Sequence, residues 1–318
     1  MKPFMCDGLK VLYKKEISDH LRSKRFIIIL ILISIIGFAS IYSAGIGIRE
    51  VVNKENNDFI FLRLFTSSGD SIPSFVSFMS FLGPLIGLSL GFDLINGERA
   101  RGTLSRLLAQ PIYRDTVING KFLAGTSILA IMVVSLVLAV GGLGIILIGI
   151  PPTLEEIGRL TVYLVLTILY IGIWYAISLM FSLIFKQTAT SALAGIALWL
   201  FLTIFIVLIA GIVANGLYPV NDHPAIDTVL KHEAVKRNLS RISPITIYNE
   251  AMTTILNPGV RTMGLIMTSQ LEGAIASSLP LGQSILLIWA HIVTMIAMIM
   301  VCFAISYILF MRQEIRAI

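Results

Sequence analysis

Six stretches of the chain run for twenty or more residues with almost no charge, and short polar segments separate them. A bilayer's hydrocarbon core is about 30 Å thick and takes about 20 helical residues to cross. The pattern therefore predicts six transmembrane helices, at 26–48, 75–96, 122–150, 160–185, 190–217 and 284–311. Only the second holds an acid, Asp93, near its end, and Pro151-Pro152 stops the third. Lys186, Gln187 and Thr188 alone separate the fourth from the fifth, so those two form a tight helical hairpin. The first stretch is longer than the apolar region of a signal peptide, and no small-residue cleavage site follows it before Arg49-Glu50, so it reads as a retained span. The fold class expected is all-α: one polytopic membrane domain over 1–318, with a segment at 97–121 on one side and a long loop at 215–283 on the other.

Composition agrees. Hydrophobic residues make up 56% of the chain and charged residues 13%, with a mean hydropathy of +0.89. An ordinary soluble protein carries about 25% charge, and a domain of this size cannot hide so much apolar surface behind a polar exterior. A soluble enzyme, a disordered chain and a nucleic-acid module are excluded, and no nucleic-acid partner is expected. The net charge of +6 reports loop topology instead. The short segments on the side of both termini carry 15 Lys and Arg, and those on the other side carry 4. That bias places both termini in the cytoplasm and the chain in the cell membrane. The long loop is charge-balanced, with Lys231, Lys236, Arg237, Arg241 and Arg261 against Asp222, Asp227, Glu233, Glu250 and Glu272.

Candidate chemistry is sparse. His232-Glu233-Ala234-Val235-Lys236 fails as a zinc-protease helix, because two His one turn apart must face one metal and Lys236 takes the second place. Glu155-Glu156 with Arg159 approximates part of an intramembrane prenyl-protease motif, with the Arg one position early. Cys6 and Cys302 form no framework. Met252, Met263 and Met267 invite a Cu(I) site, but gap-filling thioethers in an apolar layer account for them and for Met295, Met298 and Met300. Asn238-Leu239-Ser240 matches a glycosylation sequon. An ion-coupled carrier would place ionisable groups at the midplane. Here only Asp93, free to snorkel or pair with Arg99, and His291 qualify. Gly120-Lys121 lacks the upstream Gly and following Ser/Thr of a P-loop, so any nucleotide energy comes from another polypeptide.

Two segments on the side of the termini say more. In residues 8–25, Leu9, Leu12, Tyr13, Ile17 and Leu21 share one helical face, and Arg22, Lys24 and Arg25 follow. That predicts a basic amphipathic helix in the inner interface, beside anionic lipid. In residues 97–121, Gly97 and Pro111 frame a short helix. Thr103, Leu104, Leu107 and Leu108 make an apolar patch ringed by Glu98, Arg99, Arg101 and Arg106, which is how a small separable interface is built.

Glu98-Arg99, Gly102-Thr103-Leu104, Leu107-Leu108, Pro111, Arg114 and Gly120-Lys121 together resemble the coupling segment of ABC-2 type export permeases. Within that class the chain is most similar to the group associated with multicopper-enzyme, nitrous-oxide-reductase, maturation. Arg241-Ile242-Ser243-Pro244, Tyr248 and Asn257-Pro258 also resemble that group. The resemblance implies a permease subunit that forms the pathway, pairs with a second copy as a homodimer, and couples to a separate ATP-binding-cassette ATPase. ATP and Mg would be used by that partner, and no cofactor would be held by this chain. An extracytoplasmic accessory protein is a further partner it implies. The residues also leave open an ion-coupled secondary transporter, or an ATP-driven complex that remodels an outer-face partner without transport.

Overall fold

The computed structural model describes residues 3–52, 59–68, 72–110, 112–220, 225–259 and 279–313. Pro111, the Leu108 and Cys6 side chains, Asp222, Arg261, Met263, Met267 and Glu272 lie outside the described residues. Among the described residues all regular structure is helical: α1 (Pro3–Leu21), α2 (Lys24–Val52), α3 (Ile60–Thr66), α4 (Phe75–Gly91), α5 (Asn96–Ala100), α6 (Thr103–Leu108), α7 (Arg114–Ile148), α8 (Leu154–Ile184), α9 (Thr188–Leu200), α10 (Ile206–Leu217), α11 (Ile226–Ser240), α12 (Pro244–Leu256) and α13 (Leu281–Arg312). One π-helical turn, Phe201–Phe205, joins α9 to α10 into a single rod. Six helical segments are long and apolar enough to cross a membrane: α2, α4 with α5, α7, α8, α9 with α10, and α13.

Two helices begin earlier than hydropathy alone predicts. α7 starts at Arg114 rather than 122, so residues 114–121 are its first two turns and not part of a loop. α8 starts at Leu154 rather than 160, because Thr153 and Glu156 form a reciprocal capping box at its N-terminus. Polar first turns carry no hydropathy signal but satisfy the orphan N–H groups of a helix. At the far end of α7, Gly149 takes the left-handed conformation (φ 79°) that closes the helix ahead of Pro151-Pro152.

The bundle is built around α8. Of its most apolar stretch 67% is buried, against 11% for α9–α10 and 11% for α13. In lipid, apolar side chains gain little by leaving the tails, so helices associate through close packing and interhelical hydrogen bonds. α4 shows both devices. Gly83, Gly87 and Gly91, four apart, face α8, and a Cβ on Gly87 would lie 2.5 Å from the Ile171 carbonyl oxygen. The close approach lets the Ser178 hydroxyl donate to Leu88 O (2.8 Å) and the Tyr170 hydroxyl donate to Ser80 O (2.7 Å).

At the end remote from α1, Arg159 is fully buried. It donates to Ile255 O (2.8 Å), Ser284 Oγ (3.3 Å), Leu279 O and Glu155 Oε1 (3.0 Å). It ties α8 to α12 and to the start of α13. Glu156 accepts from the Phe61 N–H at 2.9 Å and holds α3. The acids and Arg that approximate a protease motif are therefore a structural clamp. His232 likewise spends Nε2 on Asn215 Oδ1 at 2.9 Å.

Candidate coupling site

α1 does not lie free on a lipid surface: its apolar stripe docks on the first turns of α7. Leu12 is buried, and a Cβ on Gly120 would meet its Cδ2 at 2.9 Å and Leu9 Cδ1 at 3.5 Å. The Tyr13 hydroxyl donates to Ser127 Oγ at 2.8 Å, and Ile17 packs on the core. Only the end of the stripe, Leu21, is exposed, with Arg22, Lys24 and Arg25. The stripe of the expected interface helix is thus covered by α7 over most of its length. The glycine at 120 and the long aliphatic side chains opposite it make protein a closer-fitting partner than lipid.

Beneath that contact lies a buried ion cluster. Lys121 is 1% exposed, and its ammonium donates to Glu16 Oε1 (3.0 Å) and Glu98 Oε1 (2.8 Å). Lys15 stands 3.1 Å from Glu16 and 3.9 Å from Glu98, which balances the charge. One ammonium thus fastens three elements: α1 through Glu16, α5 through Glu98, and its own α7. Burial works against the charged carboxylate of Glu16, but the Lys121 and Lys15 ammonium groups outweigh it and hold Glu16 below the usual carboxylate range. His20, one turn further along α1, is pushed down by burial, which its neighbouring acids only partly oppose.

The segment expected as one framed helix is two short helices at a sharp turn. Gly102, at φ 67°, makes that turn without Cβ strain. Asn96 anchors α5: the Ile95 and Asn96 N–H groups donate to Ser182 Oγ (2.9 and 3.2 Å) on α8. Thr103 Oγ1 donates to Glu98 O at 3.1 Å and fixes α6 against α5. Arg99 donates to Gln313 Oε1 (2.5 Å), Arg114 donates to Gln313 O (2.9 Å), and Gln313 Nε2 donates to Leu183 O (2.8 Å). The end of α13 is thereby knitted to α5, α7 and α8.

These contacts sort the sequence-predicted residues into two sets. Glu98, Arg99 and Arg114 face inward and hold the segment. Leu104 is 1% exposed and Leu107 half-buried, so of the apolar patch Leu104 is covered by the chain itself and Thr103 is left exposed. That corrects the expectation that Leu104 is buried only against a partner: a six-residue helix has too little side to bury its leucines anywhere but on its own core. Exposed on α6 and its flanks are Ala100, Arg101, Gly102, Thr103, Arg106, Ala109 and Gln110, with the two arginines as the charged groups. Asp93 pairs with Arg25, at 2.5 Å, rather than with Arg99. Glu16, Ser182 and Gln313 were missed by sequence reasoning. Glu16 carried a signal, since it is an acid in line with the Leu9–Leu12–Tyr13 stripe and so has to meet a buried cation. The cluster offers no open site and no set of metal ligands among the described residues. It ties the segment that carries Arg101 and Arg106 to several helices at once.

A family profile described as an ABC-2 family transporter protein matches residues 10–315. The chain belongs to the ABC-2 transporter family. Among curated ABC-2 relatives it is similar to a probable ABC transporter permease protein NosY of Stutzerimonas stutzeri, with 35% identity over 122 residues, or 38% of this chain and 39% of the relative. It is also similar to the protein of the same description from Pseudomonas aeruginosa, with 27% identity over 195 residues, or 59% of this chain and 64% of the relative. The matched part is thus less than two thirds of either relative's length.

Proposed function

We propose that the chain is the permease subunit of an ABC-2 exporter. It forms the translocation pathway with a second copy of itself and is driven by a separate ATP-binding-cassette ATPase. The observation that carries this reading is the coupling segment. Arg101, Thr103 and Arg106 stand outward on a knuckle held from behind by α1, α7, α8 and α13. A partner that pushes such a knuckle moves several helices as rigid bodies. Membership of the family and the permease descriptions of its relatives support the same reading. The weakly buried faces of α2, α9–α10 and α13 are available for the second copy and for lipid. The excess of Lys and Arg at the α1 end supports the expected orientation in the cell membrane, with both termini and the knuckle in the cytoplasm.

The test is charge reversal of the knuckle. Arg101→Glu with Arg106→Glu touches only exposed side chains, so the permease should still insert and fold. Co-purification of the ATPase with the double variant should fall at least tenfold. Recovery at wild-type yield would contradict the assignment.

A further inference from the structure

At the α1 end of the bundle a cavity of about 340 Å³ opens sideways between α2, α4 and α9. Its floor is Ile86 and Leu88, and its walls are Ile28, Leu32 and Ile196. Small-molecule pockets begin near this size, but the wall residues are themselves exposed on the apolar flank of the bundle, where lipid tails lie. Three serines line the cavity. Ser89 donates to Ile86 O and Ser178 to Leu88 O, at 2.8 Å each. The third, Ser191, is 1% exposed, and its hydroxyl has no partner among the described residues. A buried hydroxyl left unpaired in an apolar wall is a donor waiting for an acceptor.

The mouth of the cavity is cationic. Phe92 lies at its edge, and the Arg25 guanidinium sits 5.1 Å above the Phe92 ring, fixed there by Asp93. Arg22 is exposed just before α2, Lys24 is exposed at its first position, and Lys186 is exposed just before α9. A tail-shaped apolar slot, a single unpaired hydroxyl inside it and a basic rim outside it describe the parts of one molecule. We propose that this groove binds an anionic glycerophospholipid: one acyl chain lies in the slot, an ester carbonyl accepts from Ser191, and the headgroup sits among Arg22, Lys24 and Lys186. The lipid seals α2 and α9 to α4 on the face of the protomer that α8 leaves open. Placing that lipid in the inner leaflet rests on the orientation proposed above; the binding itself does not.

The test uses the full chain in nanodiscs of equimolar phosphatidylglycerol and phosphatidylcholine, followed by native mass spectrometry. Both leaflets then have one composition and no ATPase is present, so the outcome is independent of orientation and of coupling. Wild type should release carrying phosphatidylglycerol in preference to phosphatidylcholine. Lys24→Gln with Lys186→Gln should erode that preference by about five-fold per cation while total lipid is retained. Ile196→Trp, which fills the slot, should remove the adduct, and Leu32→Trp should do so from the opposite wall should the first variant fold poorly. Ile212→Trp, on the exposed side of α10, should leave it intact. Equal retention of the two lipids by wild type, or an adduct that survives both slot-filling variants, would overturn the proposal. So would a slot-filling variant that changes the number of protein copies rather than of lipids, because the groove would then be covered by a second protomer.

Discussion

Lys121 has more depending on it than any other side chain at the α1 end. Two carboxylates are buried against one ammonium, and breaking a buried pair by removing one partner costs about 3–5 kcal/mol, because the charge left behind is uncompensated. Lys121→Met should therefore release α1 and α5 together. Limited proteolysis should cut α1 in the variant and spare it in wild type. Glu16→Gln keeps a hydrogen-bond acceptor beside Lys121 and should be milder. The same cluster sets a pH dependence. The pKa of His20 and that of Glu16 are both lowered in the folded chain. Each therefore contributes stability that is present above its unfolded value and is lost as pH falls. α1 docking should weaken below pH about 6.5 through His20 and further below about 4.3 through Glu16. Amide hydrogen exchange of α1, corrected for intrinsic rate, should quicken at pH 5.5 relative to 7.5; slower exchange would contradict the assignment. Little of this was legible beforehand. Lys121 and Glu16 are 105 positions apart, and no periodicity links residues across such a distance. Only the acid set in an apolar stripe hinted that a buried cation waited opposite.

Helices were more legible than their neighbours in space. Runs of apolar residues pointed to the six helices that, among the described residues, are long and apolar enough to cross a membrane. The ends were harder to read: the first turns of α7 and α8 are polar, and their starts follow from capping and from the α1 contact. α3 went unseen because seven residues are too few to show a period. The stripe on α1 was read correctly as a stripe but assigned to lipid, because amphipathicity says that a face is covered and not what covers it. Glycine spacing on α4 was equally open to reading. Gly83, Gly87 and Gly91 form a small-residue ridge that sets the α4–α8 distance. Gly87→Leu should push the two helices apart, at a cost of about 1–3 kcal/mol or more, and lower the thermal stability of the purified chain. Gly211→Ala on α10 meets open space within 4 Å and removes a helix-interior glycine, so it should hold or raise stability by up to about 1 kcal/mol. Equal effects from the two would contradict the packing assignment.

Across the whole molecule the helices divide into a held core and a weakly buried rim. α8 is packed by α4, α7, α12 and α13, and Arg159 at one end and the Lys121 cluster at the other stop the elements sliding. α2 and α9–α10 stand at the rim with their apolar faces outward. The two clamps lie at opposite ends of the bundle, the Lys121 cluster behind the knuckle and Arg159 on the far side. The resemblance seen in residues 98–121 marks the segment proposed for coupling and puts its leucines outward. The structure buries Leu104, half-buries Leu107 and leaves Arg101 and Arg106 at the surface.

The most direct measurement is site-specific photo-crosslinking in cells that also express the ATPase. A crosslinking residue at Arg106, on the exposed knuckle, is compared with one at Ile242, exposed in the turn between α11 and α12. Position 106 should capture the ATPase polypeptide and position 242 should not. Capture from 242, or none from 106 while the ATPase still co-purifies, would contradict the proposed coupling role.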